Sequence, residues 1–149
     1  MLFSAGDTGH DIFIIRSGLV KLMKYARSGS VRIVRLARPG DVVGLGLIIR
    51  KYHGHTAKAM TVFDACRVPV DLVSHEIHRI EGLELKLFHQ WQSAVEEADT
   101  FLTELSTGTA HARVARLLLY LLETSDDHVC QALSREEMGE LLGITTETA

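Results

Sequence analysis

Two pairs of histidines are spaced so that they could bind a metal ion. His53 and His55 are two positions apart, so on a β-strand both imidazoles face the same side and could share one metal. No carboxylate follows at positions 56–60 to complete such a site. His75 and His78 lie close to one helical turn apart, but the segment lacks the HExxH spacing of a zinc protease. The sequence therefore predicts solvated histidines and no metal site.

The usual catalytic and nucleotide-binding motifs are absent from the sequence. It contains no recognisable Ser/His/Asp arrangement and no Walker phosphate loop. Gly44-Leu45-Gly46 lacks the third glycine and the following βα unit of a dinucleotide fingerprint. We therefore predict that the protein is not an enzyme and has no catalytic residue.

The carboxyl-terminal segment carries the strongest local signal. Ser134 can cap a helix, and Glu137 can return a hydrogen bond to the Ser134 amide, which together make a reciprocal capping box. Gly143 supplies a left-handed helix exit, and Thr145 can cap a following helix. These positions predict a helix-turn-helix over residues 133–148, with an ordinary helical hairpin as the alternative.

In a helix-turn-helix, the second helix enters the DNA major groove through its first residues. Glu147 could accept a hydrogen bond from cytosine, and the threonines could contact phosphate or a thymine methyl group. Because only about one turn of that helix precedes Ala149, we expect binding of double-stranded DNA to need further carboxyl-terminal residues. The candidate DNA-binding residues are Ser134, Arg135, Thr145, Thr146, Glu147 and Thr148.

A heptad pattern predicts a long helix that would position this unit. From about residue 85 to residue 105 no proline or glycine interrupts the chain, and apolar side chains recur at intervals of 3, 4, 3, 4 and 3. We predict a parallel homodimer held by a coiled coil; the alternative is a helix packed on its own β unit. Gly108 then ends the helix, and another helix begins at residue 109 or 110. The predicted dimer interface consists of Phe88, Trp91, Val95, Ala98, Leu102 and Leu105.

The first half of the chain has the pattern of an antiparallel β unit. Between residues 11 and 70, short apolar stretches alternate with turn signals such as Arg-Pro-Gly-Asp at 38–41. The run Arg-Ser-Gly-Ser at 27–30 predicts a hairpin loop, where Gly29 can adopt the positive φ of the reversal. The elements form a small sandwich or roll.

Composition and charge narrow the class of protein. A chain of 149 residues with 46% hydrophobic content can bury one core and a small second unit. No apolar run approaches the roughly 18 to 20 residues of a membrane span and no signal peptide is evident, so we expect a cytoplasmic protein with no membrane partner. Residues 1–80 carry 12 Lys/Arg and 6 Asp/Glu, whereas residues 81–149 carry 4 and 13. The acidic second half does not favour phosphate contacts.

In this order, the elements resemble the Crp/Fnr transcription regulators. The resemblance rests on Gly6-Asp7, Arg16-Ser17-Gly18 and the segments 39–44, 113–118 and 133–148. It implies an α+β fold with a cyclic-nucleotide-binding-like antiparallel β-roll at residues 1–80, which is a jelly-roll-like double-stranded β-helix. A dimerisation helix at 81–107 and a truncated winged helix-turn-helix at 108–149 would follow. The implied function is that of a homodimeric DNA-binding regulator controlled by an unknown small-molecule effector.

The resemblance also marks an effector pocket, where this sequence departs from the members that bind cyclic AMP. In those members a glutamate binds the ribose and an arginine binds the phosphate of cyclic AMP. The matching positions here are Leu45 and His55. Leu45 cannot accept a ribose hydroxyl, and a neutral imidazole is a poor substitute for a guanidinium. We therefore expect an effector other than cyclic AMP. The predicted pocket consists of Gly44, Leu45, Gly46, His55, Thr56 and Ala57.

The resemblance does not identify a cofactor, which stays unknown. Iron-sulfur sensing of the Fnr type needs a cysteine cluster near the amino terminus, and no cysteine precedes Cys66. A haem ligand would have to be His53, His55 or Cys66. Two other functions stay open: a metal-dependent enzyme, because His53 and His55 resemble the HxH motif of cupins, and a stand-alone nucleotide-binding regulatory module.

Overall fold

The fold is an antiparallel β-roll followed by helices, seen in a computed structural model that describes residues 1–123, 133–145 and 147–148. The strands are β1 (Asp11–Ser17), β2 (Val20–Tyr25), β3 (Val31–Ala37), β4 (Val42–Val43), β5 (Thr56–Ala59) and β6 (Asp64–Pro69). The helices are α1 (Val70–Glu76), α2 (Leu83–Thr100), α3 (Ala110–Glu123) and α4 (Arg135–Leu142), with a 3-10 helix at Leu45–Ile48 and a π-helical turn at Phe101–Leu105. The predicted α+β class is confirmed.

The roll consists of two three-stranded sheets in the orders β4-β1-β6 and β3-β2-β5, and all neighbouring strands are antiparallel. The predicted hairpin joins β2 to β3, with Gly29 at φ +84° and the Ala26 amide donating to the Ser30 carbonyl at 2.9 Å. Fully buried Ile15, Val20 and Ala57 belong to the apolar cluster that packs the roll.

The long helix departs from the regular heptad helix that the sequence predicts. It begins at Leu83, is α-helical to Thr100 and continues as the π-helical turn. A π-helical turn widens the repeat locally, so Phe101 and Leu105 both reach the same apolar cluster. Gly108 follows with φ +86°, where the sequence predicted the helix to end.

The carboxyl-terminal helices share an apolar core with the roll. Met23, Ile33 and Leu36 of β2 and β3 form one cluster with residues of the π-helical turn, α3 and α4. The helical residues in this cluster are Phe101, Leu105, Leu117, Leu121, Leu141 and Leu142. The domain boundaries at residues 80/81 and 107/108 stay predictions, because sheet and helices are packed together across them.

A buried ion pair also joins α4 to the roll. The Lys21 ammonium lies 3.2 Å from Glu137 Oε1 and 3.2 Å from Glu140 Oε2, and its side chain is only 8% exposed. A buried ammonium needs such partners because leaving it unpaired would cost several kcal/mol. The acidic residues on this side of α4 therefore face the roll.

Acid is expected to weaken the attachment of α4 through Glu137. Burial raises the pKa of Glu137, but hydrogen bonds from the Ser134 amide and hydroxyl and from Lys21 outweigh burial and lower the pKa below its ordinary value of 4.5. The contribution of this carboxylate to stability is therefore complete above pH 4.5 and is lost as the pH falls through the lowered pKa. Glu137→Gln should reduce the free energy of unfolding by about 1 kcal/mol at pH 7 and by less in acid.

Urea titrations at several pH values between neutral and acid test this expectation. Glu136→Gln is the matched control, because Glu136 lies in the same helical turn but is exposed. If the difference in free energy of unfolding between Glu137→Gln and wild type stayed constant with pH, the role given to the Glu137 charge would be contradicted.

Candidate functional site

A cavity of about 270 Å³ lies between the roll and α2. The 3-10 helix and the segment before β5 form one wall, β3 contributes Val34 and Arg35, and α2 contributes Trp91, Ala94 and Ala98. Gly44 is the N-cap of the 3-10 helix and has φ +89°, a conformation that side-chain-bearing residues rarely adopt. Glycine at position 44 therefore allows the tight turn that shapes this wall of the cavity.

Four of the six predicted pocket residues line this cavity: Gly44, Leu45, Gly46 and His55. Thr56 and Ala57 do not, which corrects the sequence prediction. The Thr56 hydroxyl accepts from the Ala5 amide at 3.0 Å, and Ala57 exchanges backbone hydrogen bonds with Leu2 and Phe3. Because the amino-terminal segment pairs with β5, both residues are buried beneath it.

Arg50, like Arg35, lines the cavity but belongs to no motif that predicted it. It lies at the mouth of the cavity, and its guanidinium packs over Gly46 and Gly54: a Cβ built on Gly46 would be 3.5 Å from Arg50 Nε, and one built on Gly54 would be 3.4 Å from Nη1. No carboxylate among the described residues forms an ion pair with it. Arg50 thus offers a guanidinium near the position where His55 replaces the arginine of cyclic-AMP-binding members. The sequence feature that could have indicated Arg50 is its position between Gly46 and Gly54.

Three basic side chains, Lys24, Arg35 and Arg50, lie close to His55 at the cavity. Burial lowers the pKa of His55, and the nearby charges of Lys24, Arg50 and Arg35 lower it further. His55 is therefore largely neutral at pH 7, while the fixed charges remain. Arg35 is paired with Asp41 and Glu97, so Arg50 is the cation at the cavity that favours an anionic ligand.

The structure does not bring the predicted histidine pairs into a metal centre. His53 is buried and its ring stacks on Phe3 with 3.7 Å between ring centroids and 6° between planes. Burial lowers the pKa of His53, and the charge of Asp7 offsets only part of this decrease. Across residues 1–123, 133–145 and 147–148, no three His, Cys, Asp or Glu side chains are grouped as metal ligands.

The helix-turn-helix start has the local structure that the sequence predicted. The Ser134 hydroxyl accepts from the Glu137 amide at 3.2 Å, and Glu137 Oε2 accepts from the Ser134 amide at 3.1 Å, so the capping box is confirmed. Gly143 ends α4 at φ +67°, and any side chain there would overlap the Arg32 guanidinium. The Thr148 amide then donates to the Thr145 carbonyl at 3.0 Å, which closes one turn.

The predicted DNA-binding side chains lie on the accessible side of this unit. Ser134, Arg135, Thr145, Glu147 and Thr148 are exposed, and Thr146 lies outside the described residues. The pKa of Glu147 is lowered by hydrogen bonds from its own amide and from the Thr145 hydroxyl. Glu147 is thus an ionised acceptor at neutral pH, as the predicted contact with cytosine requires.

Comparison with known proteins identifies the family. The sequence profile of the cyclic nucleotide-binding domain matches residues 1–78, which is more than half of the 149 residues. The chain belongs to the cyclic nucleotide-binding domain family. The match covers the whole roll and α1, and it includes Arg50 and His55.

Relatives place this cyclic nucleotide-binding domain protein in the Crp/Fnr group, as predicted. The anaerobic regulatory protein of Haemophilus influenzae is 27% identical over 99% of this chain and 60% of its own length. A CRP-family transcriptional regulator from Thermus thermophilus has a TM-score of 0.79 and 25% identity over 99% of this chain and 75% of its own. FixK2 from Bradyrhizobium japonicum shares the fold with a TM-score of 0.81 and 24% identity, over 99% and 74%. The chain spans about three fifths of the first curated relative.

The six predicted dimer-interface residues of this Crp/Fnr chain fall on two sides of the long helix formed by α2 and the π-helical turn. Phe88, Val95 and Leu102, seven positions apart, are 58%, 55% and 65% exposed. Trp91 and Ala98 instead line the cavity on their own roll. Leu105 is fully buried in the cluster shared with α3 and α4, so its place in the predicted interface is wrong. The π-helical turn, which ends at Leu105, rotates this residue away from the exposed row.

None of the helices in the described ranges has the length and apolarity that crossing a bilayer requires.

Proposed function

We propose that this chain is the effector-sensing part and the start of the DNA-reading part of a homodimeric transcription regulator that acts in the cytoplasm. The observation that carries the proposal is that a cavity with the Arg50 guanidinium at its mouth lies directly against α2, the helix that leads to a capped helix-turn-helix start. An effector in the cavity would bias two arrangements of the dimer, with movement of the DNA-reading units about Gly108. The cupin-like enzyme and the stand-alone module gain no comparable support.

The effector in this proposal is an anion that carries a phosphate or a comparable group. Arg50 and Arg35 supply guanidinium donors, and Trp91 supplies an aromatic wall. Leu45 is buried and offers no acceptor for a ribose hydroxyl, which argues against the cyclic-AMP arrangement of the family. The cofactor stays unknown.

Arg50→Ala is expected to weaken binding of an anionic effector about tenfold or more, because it removes a charge-assisted hydrogen-bond donor. Trp91, the only tryptophan, lines the cavity and reports occupancy through its fluorescence. The probes are inorganic phosphate, cyclic AMP and cyclic GMP. Arg27→Ala, in the exposed β2–β3 hairpin, is the control. Equal binding by Arg50→Ala and wild type, or no response to any probe, would overturn the anionic-effector assignment.

The DNA-reading role is tested with the full-length gene product and randomised operators. Glu147→Ala should relax the preference at one base-pair position by about 1–3 kcal/mol, because a base-edge acceptor is lost. Arg135→Ala should weaken the affinity for all DNA sequences by a similar factor. It should also reduce the slope of log affinity against log salt concentration by the amount expected for about one phosphate contact. An unaltered base preference in Glu147→Ala would remove this residue from base reading, and absence of any sequence-specific complex would refute the regulator proposal.

A further inference from the structure

The Glu97 carboxylate holds three elements together next to the cavity. Its Oε2 accepts from Arg35 Nε at 3.1 Å, and its Oε1 accepts from the Leu36 amide at 3.4 Å and from the Tyr120 hydroxyl at 2.9 Å. Glu97 is on α2, Arg35 and Leu36 are on β3, and Tyr120 is on α3. One carboxylate therefore joins the roll and the long helix to the first helix of the carboxyl-terminal unit.

Arg35 belongs both to this network and to the cavity wall. Its Nη2 lies 3.2 Å from Asp41 Oδ1, so two carboxylates share one guanidinium. The Arg35 and Glu97 side chains are only 12% and 14% exposed, so solvent screens the pair weakly. An anion that enters the cavity and contacts Arg35 competes with Glu97 for the same positive charge.

Tyr120 fixes α3 through several contacts at this corner. Its ring meets Phe101 edge-on with 5.6 Å between centroids, and the Arg38 guanidinium lies 4.7 Å above the ring. Burial and the charge of Glu97 raise the pKa of Tyr120, so the hydroxyl stays protonated and donates to Glu97. Phe101 begins the π-helical turn, and such turns are frequent at functional sites where a helix changes register.

We propose that Glu97 transmits occupancy of the cavity to α3: an anion at Arg35 displaces the Glu97 carboxylate from Arg35, and the carboxylate shifts away from the Tyr120 hydroxyl, which lengthens that hydrogen bond. This inference rests on the proposed anionic effector, and it assigns the coupling to one side-chain network. It requires that ligand affinity and the mobility of α3 both depend on Glu97, whereas Tyr120 affects mainly the mobility of α3 and changes affinity only by the small cost of its own hydrogen bond.

Two conservative variants separate these effects. Glu97→Gln removes the competing charge and should bind the phosphate-bearing probe about fivefold more tightly, a gain of about 1 kcal/mol. Its α3 amides should already exchange hydrogen in the free protein as fast as in the ligand-bound wild type. Tyr120→Phe keeps the ring and should bind the probe within about twofold of wild type, but the probe should no longer change α3 exchange. Tyr25→Phe, at an exposed tyrosine, is the control.

The readouts are Trp91 fluorescence for affinity and hydrogen exchange by mass spectrometry for residues 110–123, with inorganic phosphate, cyclic AMP and cyclic GMP as probes. Unchanged or weaker binding by Glu97→Gln would overturn the coupling, as would a wild-type exchange response in Tyr120→Phe. If Arg50→Ala weakens binding but Glu97→Gln or Tyr120→Phe gives one of these contrary results, only the proposed coupling is refuted and the anionic effector is retained. If the wild type binds no probe, the anionic effector and the coupling fall together.

Discussion

Val95→Glu combined with Leu102→Glu is expected to convert the predicted dimer into monomers. Val95 on α2 and Leu102 in the π-helical turn form an exposed row with Phe88. In a parallel pair of helices each row would face its copy, so the double variant would replace apolar burial by like charges. The acidic residues Glu96 and Asp99 nearby add to the repulsion. We expect the dimer dissociation constant to rise about a hundredfold or more.

Analytical ultracentrifugation over a range of protein concentrations measures this change. Leu119→Glu is the matched control, because Leu119 is exposed to a similar degree but lies on α3, away from the exposed row. Circular dichroism checks that each variant keeps its helices. If the double variant sedimented as a dimer indistinguishable from wild type, the interface would have to be sought on another face.

Leu117→Ala should have the largest effect on stability, a loss of about 3 kcal/mol within the usual range of 2–5 kcal/mol for a buried leucine. Leu117 is fully buried in the cluster that joins β2 and β3 to the carboxyl-terminal helices. The cavity left by the truncation would therefore weaken both the roll and the helical unit. We expect one unfolding transition at a lower denaturant concentration in the variant.

Urea unfolding followed by Trp91 fluorescence and by far-ultraviolet circular dichroism tests this expectation with two independent signals. Leu119→Ala, two positions away and exposed, should change stability by less than about 0.5 kcal/mol. If the helical signal of Leu117→Ala were lost while the Trp91 signal stayed native, the roll and the helices would unfold separately. That result would contradict a shared core.

Much of the site was predictable wherever the relevant interaction is local in the sequence. The capping box at Ser134, the left-handed glycine at 143 and the hairpin glycine at 29 depend on residues only a few positions apart. Backbone geometry and short-range hydrogen bonds set these features, so residue type and spacing are sufficient to predict them. The order of such elements also led to the Crp/Fnr resemblance.

The roll, the order of the helices and the start of the helix-turn-helix could all be predicted from residue types and their spacing. Three features became visible only in the folded molecule: Arg50 packs over two glycines at the cavity, Leu105 leaves the heptad row, and Glu97 joins β3 to Tyr120. Periodicity shows which face of a helix is apolar but not whether that face meets its own sheet or a second chain. The π-helical turn, the shared core and the ion pairs arise from contacts between residues that are distant in the sequence. These contacts determine whether a given side chain packs against its own sheet or stays exposed.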